Sequence, residues 1–247
     1  MRWQCWILAC FCIASVLPLR AQNSEDWLPI TTADRQFKPL PQAPGAAAVQ
    51  LYYADFRDDN RQHQFIYHRI KVLAENGKKY ANVQIVVPLQ YTVTGIQART
   101  VHPDGKIAEF TGKPYERLLS TWRDERFTAK TFTLPDVTVG SILEYKYQLS
   151  WEKNLPDAVW TVQHGLYTVR EKFSLRPYRG PMRTRHVADQ TQLSYVFSNL
   201  PAGVIPKDKG DAVQMNAENV RAFEAEPFMP PEEDFRAEVH FFMAGTR

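Results

Sequence analysis

The sequence predicts a mainly β fold, an antiparallel β-sandwich of two packed sheets with few short helices. Three observations carry that expectation. From Gly140 to Trp151 the chain alternates, with Leu143, Tyr145, Tyr147, Leu149 and Trp151 on one side of an extended segment and Glu144, Lys146, Gln148 and Ser150 on the other. Two tyrosines and a tryptophan on the apolar side call for a broad apolar partner such as a second sheet. Prolines (17) outnumber glycines (11) and aromatics reach 13%, which suits many short extended elements better than long helices. Turn residues also punctuate the extended runs at short intervals.

The N-terminus reads as an export signal. Arg2 precedes an apolar run from Trp3 to Leu17, and Pro18 and the small Ala21 follow, so cleavage is expected after Ala21. An uncleaved anchor is the alternative, but the run is short against the roughly 20 residues a membrane span needs. Cys5, Cys10 and Cys12 all lie inside this signal. The mature chain therefore lacks the means for a disulfide framework, a thiolate metal site or a cysteine nucleophile. Removing the signal takes away Arg2 and Arg20, so the formal charge falls by two, from +3 to +1. That balance calls for neither nucleic acid nor an anionic membrane.

Residues 22–45 hold Pro29, Pro39, Pro41 and Pro44 and read as an extended arm, tucked down by Trp27 and Phe37. Residues 46–247 then form a single β-sandwich domain. Ala46–Tyr53 is a first strand with Val49, Leu51 and Tyr53 on one side, and Asp55–Gln62 is a polar turn. Phe65–Leu73 and Tyr80–Val87 flank Asn76-Gly77, the strongest hairpin signal in the chain. Tyr91–Val101 and Lys106–Phe110 flank His102-Pro103-Asp104-Gly105, a second hairpin. Lys113–Thr121 reads as one or two helical turns. Phe127–Leu134, Trp160–Gln163, Leu166–Leu175, Leu193–Phe197 and Ala212–Met215 are further strands, the last two expected to pair, and Phe235–Met243 is the final strand.

The segment Arg176–His186 carries four arginines, Arg176, Arg179, Arg183 and Arg185, broken by Pro177 and Pro181. With Trp122, which stands beside Arg123-Asp124-Glu125-Arg126, they are the candidate partner-binding residues; a solvated loop explains the arginines as well. Trp151 and Trp160 read as core.

Signatures of known chemistry are absent from the sequence: there is no phosphate loop, dinucleotide fingerprint, zinc helix, nucleophile elbow or EF-hand. The six histidines, His63, His68, His102, His164, His186 and His240, are not paired at ligand spacing. Asp58-Asp59 and Glu232-Glu233-Asp234 lie in expected loops, where solvation accounts for them. No catalytic, metal-binding or cofactor-binding residue is assigned, and no cofactor is expected.

Several segments together resemble one family, the domain of unknown function 3857. They are Pro44–Tyr52 (PGAAAVQLY), Lys71–Gly77 (KVLAENG), Ala98–Gly105 (ARTVHPDG), Leu134–Tyr145 (LPDVTVGSILEY), Trp160 with Gln163, and Glu226–Pro230 (EPFMP). They span about residues 43 to 243. The resemblance implies a β-rich, sandwich-like domain in the periplasm or outside the cell, one that usually precedes a transglutaminase-like domain. It implies no catalytic residue here, since the Cys-His-Asp triad belongs to that following domain. The expectation is a non-catalytic exported β domain, without a transmembrane segment once the signal is removed. It would bind a protein or polymer partner, either an envelope polymer or a separately encoded transglutaminase-like or peptidase enzyme. The alternative is a hydrolase with a carboxylate or histidine site, recognisable as two carboxylates or a His–carboxylate pair converging in one concave pocket.

Overall fold

The computed structural model describes residues 26–38, 43–122, 125–152, 157–179 and 191–245. The strands are β1 (Ala48–Asp58), β2 (His63–Val72), β3 (Asn82–Val87), β4 (Thr92–Val101), β5 (Ile107–Glu109), β6 (Tyr115–Trp122), β7 (Glu125–Thr133), β8 (Ile142–Ser150), β9 (Ala158–Thr161), β10 (Thr168–Arg176), β11 (Thr191–Ser198), β12 (Lys207–Lys209), β13 (Ala212–Val220) and β14 (Glu238–Gly245). A helix of five residues, α1 (Thr32–Gln36), lies in the arm, opened by a capping box between Thr31 and Asp34.

The protein is mainly β, and among the described residues its strand pairs are antiparallel with one exception. Eight strands form one large sheet in the order β12-β13-β10-β1-β2-β8-β4-β5, in which β1 and β10 run parallel. Two three-stranded sheets, β11-β14-β9 and β3-β7-β6, complete the fold. The first packs Trp160, Val239 and Phe241 against Ile66, Phe173 and Met215 of the large sheet. The second packs Val83, Ile85 and Phe132 against Ile70, Leu143 and Leu149. Tyr147 touches both clusters, so the two small sheets cover different parts of the same face.

The alternation of Gly140–Trp151 explains this layering. Leu143, Tyr145, Tyr147 and Leu149 of β8 face the small sheets, and Glu144 and Lys146 face the opposite side. There the arm lies across the large sheet. Ile30 and Phe37 pack on Val49, Leu51 and Ile142, and the Trp27 ring sits between the Arg99 guanidinium (4.4 Å) and the Lys146 ammonium (4.3 Å). Trp151 and Trp160 are core residues, as expected.

Several local expectations fail for identifiable reasons. Asn76-Gly77 does not close a hairpin. It lies in a 3-10 turn, Glu75–Ala81, that carries the chain from β2 in the large sheet to β3 in a small one. Gly77 is required for close approach, because an added Cβ would stand 2.0 Å from the Ala47 carbonyl oxygen. The second expected hairpin does form, β4 pairing with β5 across a turn whose Gly105 has φ +91. Tyr115–Trp122 is a strand instead of a helix, paired with β7. β11 pairs with β14, and β13 with β10 and β12. Finally, β1 continues through the expected turn to Asp58, and a bulge between Gln50 and Tyr52 reverses its faces. Val49 and Leu51 therefore face the arm, whereas Tyr53 faces the small sheets.

Candidate functional site

Between the two small sheets the large sheet is left open as the floor of a cleft of about 340 Å³. Tyr53, Asp55 and Arg57 of β1 form its centre, flanked by Gln64 and Ile66 of β2 and by Tyr147 and Leu149 of β8. The register makes this grid: Asp55 stands beside Ile66, which stands beside Tyr147, and Arg57 beside Gln64, which stands beside Leu149. One wall is Pro88 and Tyr91, on the connection from β3 to β4. The other is Asp157, Val159 and Thr161, at β9.

Arg57 ties the floor to both walls. Its Nε donates to Asp59 Oδ1 at 2.6 Å, and its Nη1 donates to the Tyr91 hydroxyl and to the Asp157 carbonyl, each at 3.2 Å. The guanidinium also lies 4.6 Å from the centre of the Trp151 ring, which Tyr91 meets edge-on. The Arg57–Asp59 pair is almost fully buried. Asp58 and Asp59 are therefore not the solvated loop carboxylates expected, since Asp58 Oδ1 also accepts from the backbone N–H groups of Asn60 and Arg61.

Asp55 is 3% exposed, and the Gln64 side-chain amide donates to its two oxygens at 2.8 and 2.9 Å. Burial pushes its carboxyl up to about 7, with the Gln64 hydrogen bond and the Arg57 charge opposing the shift.

The β9 wall offers backbone as well as side chains. Val162 N–H donates to the Ala237 carbonyl at 2.8 Å, and the register then pairs Trp160 with Val239. By the alternation of an antiparallel ladder, Trp160 turns its N–H and C=O toward β14, and Val159 and Thr161 turn theirs outward, on the cleft side. Among the described residues β9 is an edge strand of its sheet.

A polar row crosses the same face and shares Tyr53 with the cleft. Tyr145, His68, Tyr53 and Glu171 are neighbours across β8, β2, β1 and β10. The His68 ring stacks on Tyr145 at 4.4 Å, and the Tyr53 ring lies 4.5 Å from His164. Burial drives His68 down to about 3 and His164 down to about 4, and pushes Glu171 up to about 9. Thr168 opposes the rise at Glu171 without cancelling it, and its hydroxyl also donates to the Leu166 carbonyl at 3.2 Å. His164 and the fully buried Glu171 side chain approach each other here, and neither lines the concave cleft.

The residues singled out from the sequence are elsewhere. Arg176 ends β10 with its guanidinium held by Asp58 at 3.7 Å and Asp211 at 3.2 Å. Arg179 is exposed, and its backbone N–H donates to Asn60. Trp122 ends β6 in a different sheet, and Arg183 and Arg185 lie outside the described residues. Asp55 and Arg57 were missed because they fell in the expected turn. The available signal was the alternation Tyr53, Asp55, Arg57 against Tyr52, Ala54, Phe56, which extends a strand through it. Among the described residues, no group of three or more histidine, cysteine, aspartate or glutamate side chains is placed to hold a metal ion.

The profile of the family described as a domain of unknown function with a solved structure, DUF3857, matches residues 58–204. The chain belongs to the DUF3857 family. The match is narrower than the resembling segments, but it takes in the cleft's Gln64, Tyr91, Tyr147 and β9. The fold recurs in the crystal structure of a protein from Parabacteroides distasonis described as a "putative protease", with a TM-score of 0.62 at 16% identity. That likeness covers 79% of this chain and 40% of the other, so this DUF3857 chain spans less than half the length of its structural relative. No curated protein matches it in sequence.

Proposed function

We propose that this DUF3857 chain is a non-catalytic, exported binding domain that takes an extended segment of a partner protein along the free edge of β9, over the cleft floor. Export rests on the N-terminal signal pattern, and the partner is a transglutaminase-like or peptidase enzyme of the envelope. The observation that carries the reading is the coincidence of an edge strand, with Val159 and Thr161 turned outward, and a floor held by Arg57 to both walls. Strand addition needs both: main-chain groups for affinity and fixed pockets for side chains. A volume of about 340 Å³ suits a few side chains of a peptide. We also read the two small sheets as one interrupted layer, which with the eight-stranded sheet makes a sandwich split by the cleft.

Selection of displayed random peptides on the purified protein tests this. Enriched extended sequences that a photo-crosslinker at Val159 captures, and one at the exposed Val86 of β3 does not, support it. Enrichment of nothing, or equal capture at both positions, overturns it.

A hydrolase is the second reading, favoured by one observation: Asp55 and Asp157 line the same cleft. A carboxyl held near 7 is suited to proton transfer at neutral pH. Turnover of peptide or glycoside substrates by the purified protein, lost in Asp55→Asn, supports that reading; absence of turnover removes it.

A further inference from the structure

We infer that the cleft selects a basic side chain, lysine or arginine, at the position of the bound segment that lies over Asp55. This rests on the peptide-binding reading above and adds to it the chemistry of the residue chosen. An ionised carboxylate accepts about four hydrogen bonds. Asp55 receives one amide, that of Gln64, shared between its two oxygens. The hydrogen bonds of Arg57 Nε and Nη1 go to Asp59, Tyr91 and the Asp157 carbonyl, and Arg57 acts on Asp55 through its charge. The floor therefore holds a buried acceptor with capacity left over.

Its surroundings suit a long cationic side chain better than a small polar one. Ile66, Tyr147 and Leu149 offer apolar surface for the methylene stem, and Tyr53 and Tyr147 line the same cleft as Asp55. Asp157 adds a second carboxylate at the wall, whereas the floor's arginine is already neutralised by Asp59. Charge complementarity thus points to one occupant. An acidic residue there would face Asp55 with the nearby Arg57 already paired to Asp59, and an uncharged one would leave the acceptor capacity unused.

The test uses the unmodified protein first. In each selected peptide the lysine or arginine is replaced in turn by norleucine and by glutamate, and affinity is read by fluorescence anisotropy. We expect norleucine to weaken binding by roughly tenfold or more and glutamate by more still, on the scale of a lost charge-assisted hydrogen bond. In Asp55→Asn the lysine-to-norleucine ratio should fall toward one. Peptides that crosslink at Val159 yet bind equally well with lysine, norleucine or glutamate would overturn the basic-residue inference and leave peptide binding standing. A selection that yields no peptide overturns both.

Discussion

Glu171 Oε2 lies 4.0 Å from His164 Nε2, and neither atom has a hydrogen-bond partner among the described residues. The two are not an ion pair. Burial favours the uncharged form of each, so near neutral pH a protonated carboxyl faces a neutral imidazole. The cross-strand row of Tyr145, His68, Tyr53 and Glu171 is thus a polar but uncharged part of the core.

Glu171 makes the protein sensitive to alkali. Its pKa is about 9 folded against an ordinary 4.5, so the folded state holds a proton that the unfolded chain releases. That stabilisation is complete below about pH 4.5 and is lost as pH rises toward 9. Glu171→Gln, which keeps the shape and removes the charge, should flatten the fall in Tm between pH 6 and 9. Its gain at pH 9 should be several kcal/mol, the scale of an uncompensated buried ion. Thermal melts across that range check it, and parallel profiles for variant and parent would contradict it.

The acid side belongs to the histidines. His68 is lowered to about 3 by burial and by His164, so between pH 6.5 and 3 the unfolded chain takes up a proton that the folded state refuses. Stability present above 6.5 is therefore lost as pH falls, with Asp55 and Glu171 acting in the opposite sense over part of that window. His68→Phe preserves an aromatic ring between Tyr53 and Tyr145 and should reduce the loss of Tm between pH 6.5 and 4. An unaltered acid limb would place the sensitive group elsewhere.

Much of the architecture was legible in the sequence because period-two patterns survive wherever a strand has one buried face. Gly140–Trp151 is the clearest case, and its polar side proved to mark the arm's docking face. Two things were not legible. Sheet membership depends on distant pairing: β2 and β3 are adjacent in sequence yet belong to different sheets. Side-chain parity depends on bulges such as the one in β1, and Asp55 and Arg57 looked like turn residues because they open the polar run Asp55–Gln62. The candidate site was accordingly sought at Trp122 and the arginines, where polarity is conspicuous in sequence.

Gly77 offers a direct check on the misread turn. If Asn76-Gly77 formed a two-residue hairpin, alanine there would strain only a positive φ. In the observed fold Gly77 is not in that region, and a Cβ would strike the Ala47 backbone, which also accepts from Leu73 and Ala74 N–H. Gly77→Ala should therefore cost at least the roughly 1–3 kcal/mol of core overpacking. Asn76→Ala, exposed and without a turn role, should fall within about 0.5 kcal/mol of the parent. Urea denaturation of both variants distinguishes the two folds.

The arm's attachment supports one more prediction. Glu144 is fully buried and takes Arg69 Nε at 2.8 Å, Arg99 Nε at 2.7 Å and the Tyr67 hydroxyl. Arg69 in turn donates to the arm, to the Leu28 carbonyl at 2.6 Å, the Pro29 carbonyl at 3.2 Å and Asp34 Oδ2 at 2.9 Å. Glu144→Gln takes the paired carboxylate from Arg99 and leaves Arg69 with Asp34 as its remaining carboxylate, and should cost about 3–5 kcal/mol. Because Arg69 reaches both, the loss should appear twice: in global stability and as faster hydrogen exchange over residues 26–38. Arg170 also meets Asp34, at 3.2 Å, but it is half exposed, so Arg170→Ala should cost less than about 1 kcal/mol. If Glu144→Gln proves no worse than Arg170→Ala, and exchange in the arm is unchanged, then the apolar contacts of Ile30 and Phe37 hold the arm without help from the buried charges.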